Sequence, residues 1–284
     1  MINNPFHYDC KTSWCPGCGN FGIIEALKET LDELGLKPHQ TAAISGIGQA
    51  AKLPHYINSN GFNGLHGRAL PVALGVKIAN MDLTVFVNSG DGDSYGEGGN
   101  HLIHNIRRNI DITHFVHNNQ IYGLTKGQGS PTTALNQVTT LQIDGVKSYP
   151  FNPVAFAISQ DCSFVARTFS GDKAHMKDMM KAAIENKGYS LLDILQPCVT
   201  FNKVNTFKWY KDRVYYLDEN YDPYNKEEAF KKALEWGDSI PIGILYRCDK
   251  PSFIDQFHHL KEAEPLVKRK WSPQDAKDFM DEFF

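Results

Sequence analysis

LTVFVNSGDGDSYGEGGNHLIHNIRRNIDITHFVHNN, residues 83–119, decides how the chain is read. Leu83 to Val87 is a β-branched and aromatic run without alternation, the pattern of a strand covered on both faces. It ends in the loop Asn88-Ser89-Gly90-Asp91-Gly92-Asp93. A helix is predicted over about Gly98 to Arg108, and Ile112 to Val116 is the next strand, ending in His117-Asn118-Asn119. Asn119 follows Asp91 by 28 residues. That is about one strand–helix–strand crossover, roughly 30 residues. In a parallel sheet both loops then share one edge, where ligands bind in crevices. An Asp carboxylate and an Asn carbonyl are hard oxygen donors suited to Mg²⁺. The glycines beside Asp91 let backbone N–H groups approach a phosphate. Either loop alone also reads as a surface turn. Together they predict a divalent metal held between a carboxylate and a phosphorylated cofactor.

The same alternation runs outward in both directions. Phe21 to Leu34 carries apolar residues at helical spacing and stops at Gly35 and Pro38. Thr41 to Ile47 is a buried strand running into the tight turn Gly46-Ile47-Gly48, and Arg68 to Ala79 is helical. Phe164 to Thr168, a helix near Lys173 to Asn186, and Leu191 to Leu195 complete the series. Strands alternating with helices give an α/β class with a largely parallel sheet flanked by helices. Residues 205–284 are richer in Lys, Asp, Glu and aromatics, and only 240–246 reads there as a strand. The expected division is therefore a domain over 1–204, with a cysteine segment at its start, and a C-terminal extension over 205–284.

Composition narrows the class. The 284 residues carry 29 Lys+Arg against 32 Asp+Glu, a net charge of −3, which lacks the basic footprint of a nucleic-acid binder. No apolar run reaches the roughly 18 residues of a membrane span. The start, MINNPFHYDC, has no basic and no apolar region of a secretion signal, so a cytoplasmic location is expected. In that compartment the six cysteines (10, 15, 18, 162, 198 and 248) are not a disulfide framework. Cys15-Pro16-Gly17-Cys18 is a C-x-x-C pair that lets two thiolates reach one metal centre. Alone it fits half a zinc ribbon, a redox dithiol or part of an iron–sulfur site. Cys162 and Cys248 read as small packed residues.

The wider text is more specific. WCPGCGNFG (14–22), GIGQAAKLPHY (46–56), LHGRALPVALGVKIAN (65–80), SGDGDSYGEGGNHLIHNIRRN (89–109), NNQIYGLTKGQGSPTT (118–133) and QPCVTFN (196–202) resemble the β subunit of 2-oxoacid:ferredoxin oxidoreductases. The motifs keep that family's order from about residue 5 to 250. The likeness is stronger to the 2-oxoglutarate and broad-specificity branch. It implies the thiamine diphosphate-binding fold and a CoA-dependent oxidative decarboxylation of a 2-oxoacid, with electrons passed to ferredoxin. By the same resemblance Asp91 and Asn119 ligate Mg²⁺ by side chain and Ile121 by its carbonyl. Gly92, Asp93 and Gly123 line the diphosphate; Ile47, Gly48 and His66 contact thiamine diphosphate. Lys52 and Leu124 face the substrate, with His66 counted among the catalytic residues. A larger α subunit is implied as partner, because it carries the pyrimidine-binding domain.

In that family four cysteines hold a [4Fe–4S] cluster. Cys15, Cys18 and Cys198 match, and Gln49, at the cofactor-side turn, stands where the remaining cysteine is expected. Three outcomes follow: Cys10 supplies the fourth ligand, the fourth iron is weakly held or lost, or no cluster binds. The last would make the chain a cluster-free relative that decarboxylates 2-oxoacids.

Overall fold

The computed structural model describes residues 4–283. The expectations that touch residues 1–3 lie outside them. The strands are β1 (Thr41–Ser45), β2 (Asn60–Asn63), β3 (Thr84–Gly90), β4 (Thr113–Asn118), β5 (Phe164–Phe169), β6 (Ser190–Leu195), β7 (Val214–Tyr216) and β8 (Ile240–Arg247). They form one eight-stranded sheet in the order β2-β1-β3-β4-β6-β5-β8-β7. Every neighbouring pair is parallel except β5 with β8.

Helices cover both faces, as a parallel sheet requires. On one side lie α1 (Asn20–Glu33) and α5 (Lys173–Glu185). Their Ile23, Leu27, Met176 and Met180 pack on Phe86, Phe115 and Leu192. On the other lie α2 (Ala69–Ala79), α3 (Gly99–Arg108), α4 (Pro153–Ser159) and the helix Lys226–Leu234. Leu70, Ile106, Val154 and Ala229 there pack on Val85, Val87 and Leu191. Val85 and Val87 thus face one layer and Phe86 the other, the period of two that a strand imposes. This two-sided burial is why Leu83 to Val87 shows no polar alternation.

Some elements differ from the sequence reading. β2 was not expected: all four of its residues are exposed, and backbone pairing to β1 alone defines it. β4 runs two residues past Val116, because His117 and Asn118 are buried and bonded by side chains rather than turned to solvent. Residues 205–283 hold a second strand besides β8, since β7 is a three-residue ladder too short to show a pattern. Both strands extend the main sheet.

Chain order sets the crevice. From β1 the chain moves outward to β2, then crosses back to β3 on β1's other side. The carboxyl ends of β1 and β3 therefore flank a switch point, the usual ligand position in such sheets. In the next pair Gly90 aligns with His117, which sets Asp91 level with Asn118.

Phe115 has no solvent exposure and meets Phe86 at 6.3 Å between ring centres. Phe115→Ala is expected to cost about 3–5 kcal/mol, read as a lowered midpoint in urea unfolding.

Candidate active site

Asp91 closes β3 and is buried. Beyond it the chain makes a π-helical turn, Gly92–Glu97, before α3, a distortion often found at functional sites. A Cβ on Gly92 would lie 2.1 Å from the Tyr122 ring, so only glycine lets the loop after β4 fold onto this turn. That loop, 119–152, contains no helix or strand.

It returns two hydroxyls to the carboxylate. Ser130 donates to Asp91 Oδ2 at 2.5 Å, and Thr132 Oγ1 lies 2.7 Å from the same oxygen. Thr132 also lies 2.9 Å from Asn118 Oδ1, and Asn118 Nδ2 donates to Asp193 at 3.1 Å. Tyr95 donates to Asp193 as well, at 2.9 Å, and the buried Arg167 guanidinium approaches it at 3.9 Å. Burial pushes Asp91 up to about 6, against the two hydroxyls that lower it. A desolvated carboxylate holds its charge less readily than an exposed one. A divalent ion beside it would offset that cost, and Asp91 and Asn119, which follow neighbouring strands at the same sheet edge, are oxygen donors of the kind Mg²⁺ takes. Among the described residues no three His, Cys, Asp or Glu side chains gather to hold one metal ion; an Asp–Asn–carbonyl site is of a different composition.

Ile47 and Gly48 follow β1, and a Cβ on Gly48, whose φ is +132°, would meet nothing within 4 Å. Gly123 is nearly as open, with only Gln49 Cγ at 3.8 Å. These bare backbones form a cradle that fits a diphosphate. The Asp93 carboxylate points elsewhere. Its Oδ1 accepts the Ile47 N–H at 3.0 Å and the Gly67 N–H at 2.7 Å, and lies 2.7 Å from His66 Nδ1. Asp93 thereby ties the turn after β1 to the start of α2. His66 Nε2 stands 3.4 Å from Glu97, to which Tyr122 donates at 3.2 Å. Lys52 donates to Ser13 Oγ at 3.0 Å, and Leu124 is 41% exposed. Asn119 accepts the Ile121 N–H at 3.0 Å.

Beside this cradle lies a second cavity. Cys15, Cys18 and Cys198 line it together with Gln49, Asn119, Gly123 and Gln196. All six cysteines are free thiols. Burial raises the Cys18 thiol, with Cys198 and Cys15 adding to it. Cys10 is not part of this wall; its Sγ faces the His55 carbonyl at 3.7 Å. Cys162 is fully buried and Cys248 packs against the same core. Ser130, Thr132, Tyr122, Glu97, Asp193 and Gln196 had no place in the sequence reading. The cluster of hydroxyls in Ser130-Pro131-Thr132-Thr133 was the signal available for the first two.

The fold and the cradle define a thiamine diphosphate-binding enzyme domain. Residues 40–194 match the family described as "Thiamine pyrophosphate enzyme, C-terminal TPP binding domain". Residues 198–262 match the family formed by the C-terminal part of the pyruvate ferredoxin oxidoreductase β chain. A 2-oxoacid:ferredoxin oxidoreductase subunit beta of Saccharolobus solfataricus is 46% identical over 257 residues, covering 86% of this chain and 84% of the relative. The 2-oxoglutarate oxidoreductase subunit KorB of Mycobacterium tuberculosis is 39% identical over 84% of this chain and 60% of its own length. The solved 2-oxoglutarate:ferredoxin oxidoreductase from Magnetococcus marinus, with 2-oxoglutarate, coenzyme A and succinyl-CoA bound, superposes with a TM-score of 0.90 at 33% identity, covering 97% of this chain and 94% of that one. The chain belongs to the family of 2-oxoacid:ferredoxin oxidoreductase β subunits, enzymes dependent on thiamine diphosphate.

The buried ionisable groups give a signed pH dependence. His114 and His117 are pushed down to about 3 by burial. Unfolded, they take up protons near pH 6.5, so their stability contribution is present above that and lost as pH falls towards 3. Asp91 acts in the opposite sense, because its folded value is raised to about 6. The buried Asp193 is raised as well, but His101 and His175 are lowered by burial and Glu29 and Asp161 by their lysine partners, so the groups that lose stability on acidification outnumber the two raised carboxylates. The thermal midpoint of the cofactor-free chain should fall as pH drops from about 7 to about 4. His114→Gln should flatten that slope; a midpoint that rises on acidification would contradict the balance.

Proposed function

We propose that this chain is the catalytic β subunit of a cytoplasmic enzyme that oxidatively decarboxylates 2-oxoglutarate to its acyl-CoA, reducing ferredoxin. The observation that carries this reading is a shared wall. Asn119 and Gly123 border the diphosphate cradle and also line the cavity of Cys15, Cys18 and Cys198. A redox group in that cavity would lie directly against the cofactor, which suits one-electron chemistry. The 2-oxoglutarate assignment is supported by the relatives' names and by the ligands bound in the solved neighbour.

When bound, thiamine diphosphate supplies the electron sink for decarboxylation and an iron–sulfur cluster the one-electron relay. The chain's own residues bind and orient. Asp91, Asn119 and the Ile121 carbonyl would hold Mg²⁺, and Gly48, Gly92 and Gly123 would admit the diphosphate. Asp93 fixes the turn bearing Ile47 and Gly48 and holds His66 at the cofactor side. Lys52, which donates to Ser13 Oγ in the free chain, would pair with a carboxylate of the 2-oxoacid. Leu124 would pack on the substrate chain.

Residues 1–204 are proposed as the cofactor domain and 205–284 as its extension. An α subunit with the pyrimidine-binding domain completes the reading. Val138, Leu141 and Ile143, 67%, 65% and 74% exposed on the loop after β4, offer it an apolar surface.

The chain produced with its α subunit should reduce a viologen dye anaerobically, dependent on 2-oxoglutarate and CoA. Activity with pyruvate but not 2-oxoglutarate would overturn the substrate assignment. Thr132→Val should weaken Mg²⁺-dependent cofactor binding about 10–100-fold, as loss of a partner behind a ligand does, measured by titration calorimetry; unchanged affinity would remove Asp91 from the metal.

A further inference from the structure

Gln49 lines the same cavity as Cys15, Cys18 and Cys198. Its backbone is fixed there, since the Trp14 indole N–H, next to Cys15, donates to the Gln49 carbonyl at 2.7 Å. Its side-chain Oε1 is buried and has no hydrogen-bond partner. Buried polar atoms are nearly always paired, and an orphan calls for a partner from outside the chain. Two of the three sulfurs around it already accept hydrogen bonds. Gln196 Nε2 donates to Cys18 Sγ at 3.4 Å, and the Phe201 N–H to Cys198 Sγ at 3.5 Å. Hydrogen bonds to sulfur of this kind tune iron–sulfur centres. Cys10, the other thiol near this end of the chain, is turned to the His55 carbonyl instead.

We infer that the cavity holds an iron–sulfur cluster through three thiolates only, with the Gln49 carboxamide oxygen facing a fourth, exchangeable iron. The inference rests on the cluster reading above. A carboxamide is neutral and hard, whereas the thiolate it replaces is anionic and soft, so the fourth iron is bound mainly by its three sulfides. Oxidation should release that iron first. A [4Fe–4S]²⁺ cluster that loses Fe²⁺ and passes one electron to ferricyanide becomes [3Fe–4S]¹⁺ with its four sulfides retained, and ferricyanide becomes ferrocyanide. One thiolate fewer also leaves one negative charge fewer, which raises the reduction potential above that of the Gln49→Cys variant.

The test is an anaerobic ferricyanide titration of the αβ complex, followed by EPR and iron analysis. The unmodified complex should develop a three-iron signal as its iron falls from about four to about three per β chain, and ferrous iron with dithiothreitol should reverse both. Gln49→Cys should keep its fourth iron and show a lower potential. Gln49→Ala should lose iron several-fold faster than the unmodified chain, and Cys10→Ser should match the unmodified chain. A fourth iron that resists oxidation in the unmodified complex would overturn the inference while leaving the cluster reading intact. Loss of that iron only in Cys10→Ser would overturn it in favour of Cys10. A Gln49→Ala rate equal to that of the unmodified chain would remove Gln49 from the corner. Absence of both iron and sulfide from the unmodified complex would overturn the cluster reading along with the inference.

Discussion

The buried carboxylate of Asp91 is the constraint around which the functional edge is built. Removing a carboxylate from water is expensive unless its oxygens are bonded. Here Ser130 and Thr132 meet that need from about forty residues further along the chain. To bring them back, the loop after β4 must fold over the π-helical turn, and Gly92 must lack a side chain to let Tyr122 through. The same hydroxyl of Thr132 reaches Asn118, which is anchored on Asp193. Asp193 in turn has a buried partner in Arg167, whose guanidinium also stands 5.6 Å from the Trp236 ring. The carboxylate is thus tied through three strands to the chain's C-terminal part. Truncating one member of such a buried chain leaves its neighbour unpaired, which costs more than the bond itself contributed.

A second carboxylate shows how environment separates roles. Asp91 and Asp93 are two residues apart and both buried. Asp91 meets the hydroxyls of Ser130 and Thr132, and burial raises it to about 6. Asp93 takes two backbone N–H groups and His66, and serves to lock two turns together. One is suited to a cation, the other to holding the backbone that would receive an anion.

The cysteine cavity adds a division of labour within one wall. Gly123 and Asn119 border the cradle and line the cavity of the thiols as well. In the proposed reaction these shared residues set the cofactor beside the thiols, and Gln49 also lines the cavity, following the turn that bears Ile47 and Gly48. A change at residue 49 therefore acts on the cavity without removing any proposed metal ligand of the cradle.

Much of the fold and part of the site were legible in the sequence. The β-branched runs gave the central strands, helical spacing gave α1 and α3, and one crossover length put Asp91 and Asn119 at the ends of neighbouring strands. The family resemblance supplied what spacing could not, including the link of Cys198 to Cys15 and Cys18. β2 and β7 were not legible, because one is fully exposed and the other three residues long, so neither carries a hydrophobic pattern. Ser130, Thr132, Asp193 and Arg167 were missed for a related reason: their partners lie 14 to 98 residues away by sequence, and hydrogen bonds have no period. Local pattern records which faces are buried, since burial repeats every two or 3.6 residues. Which polar groups meet inside was decided only when the long loop and the C-terminal strands closed on the sheet, because that depends on three-dimensional distance and the demand that every buried polar atom find a partner.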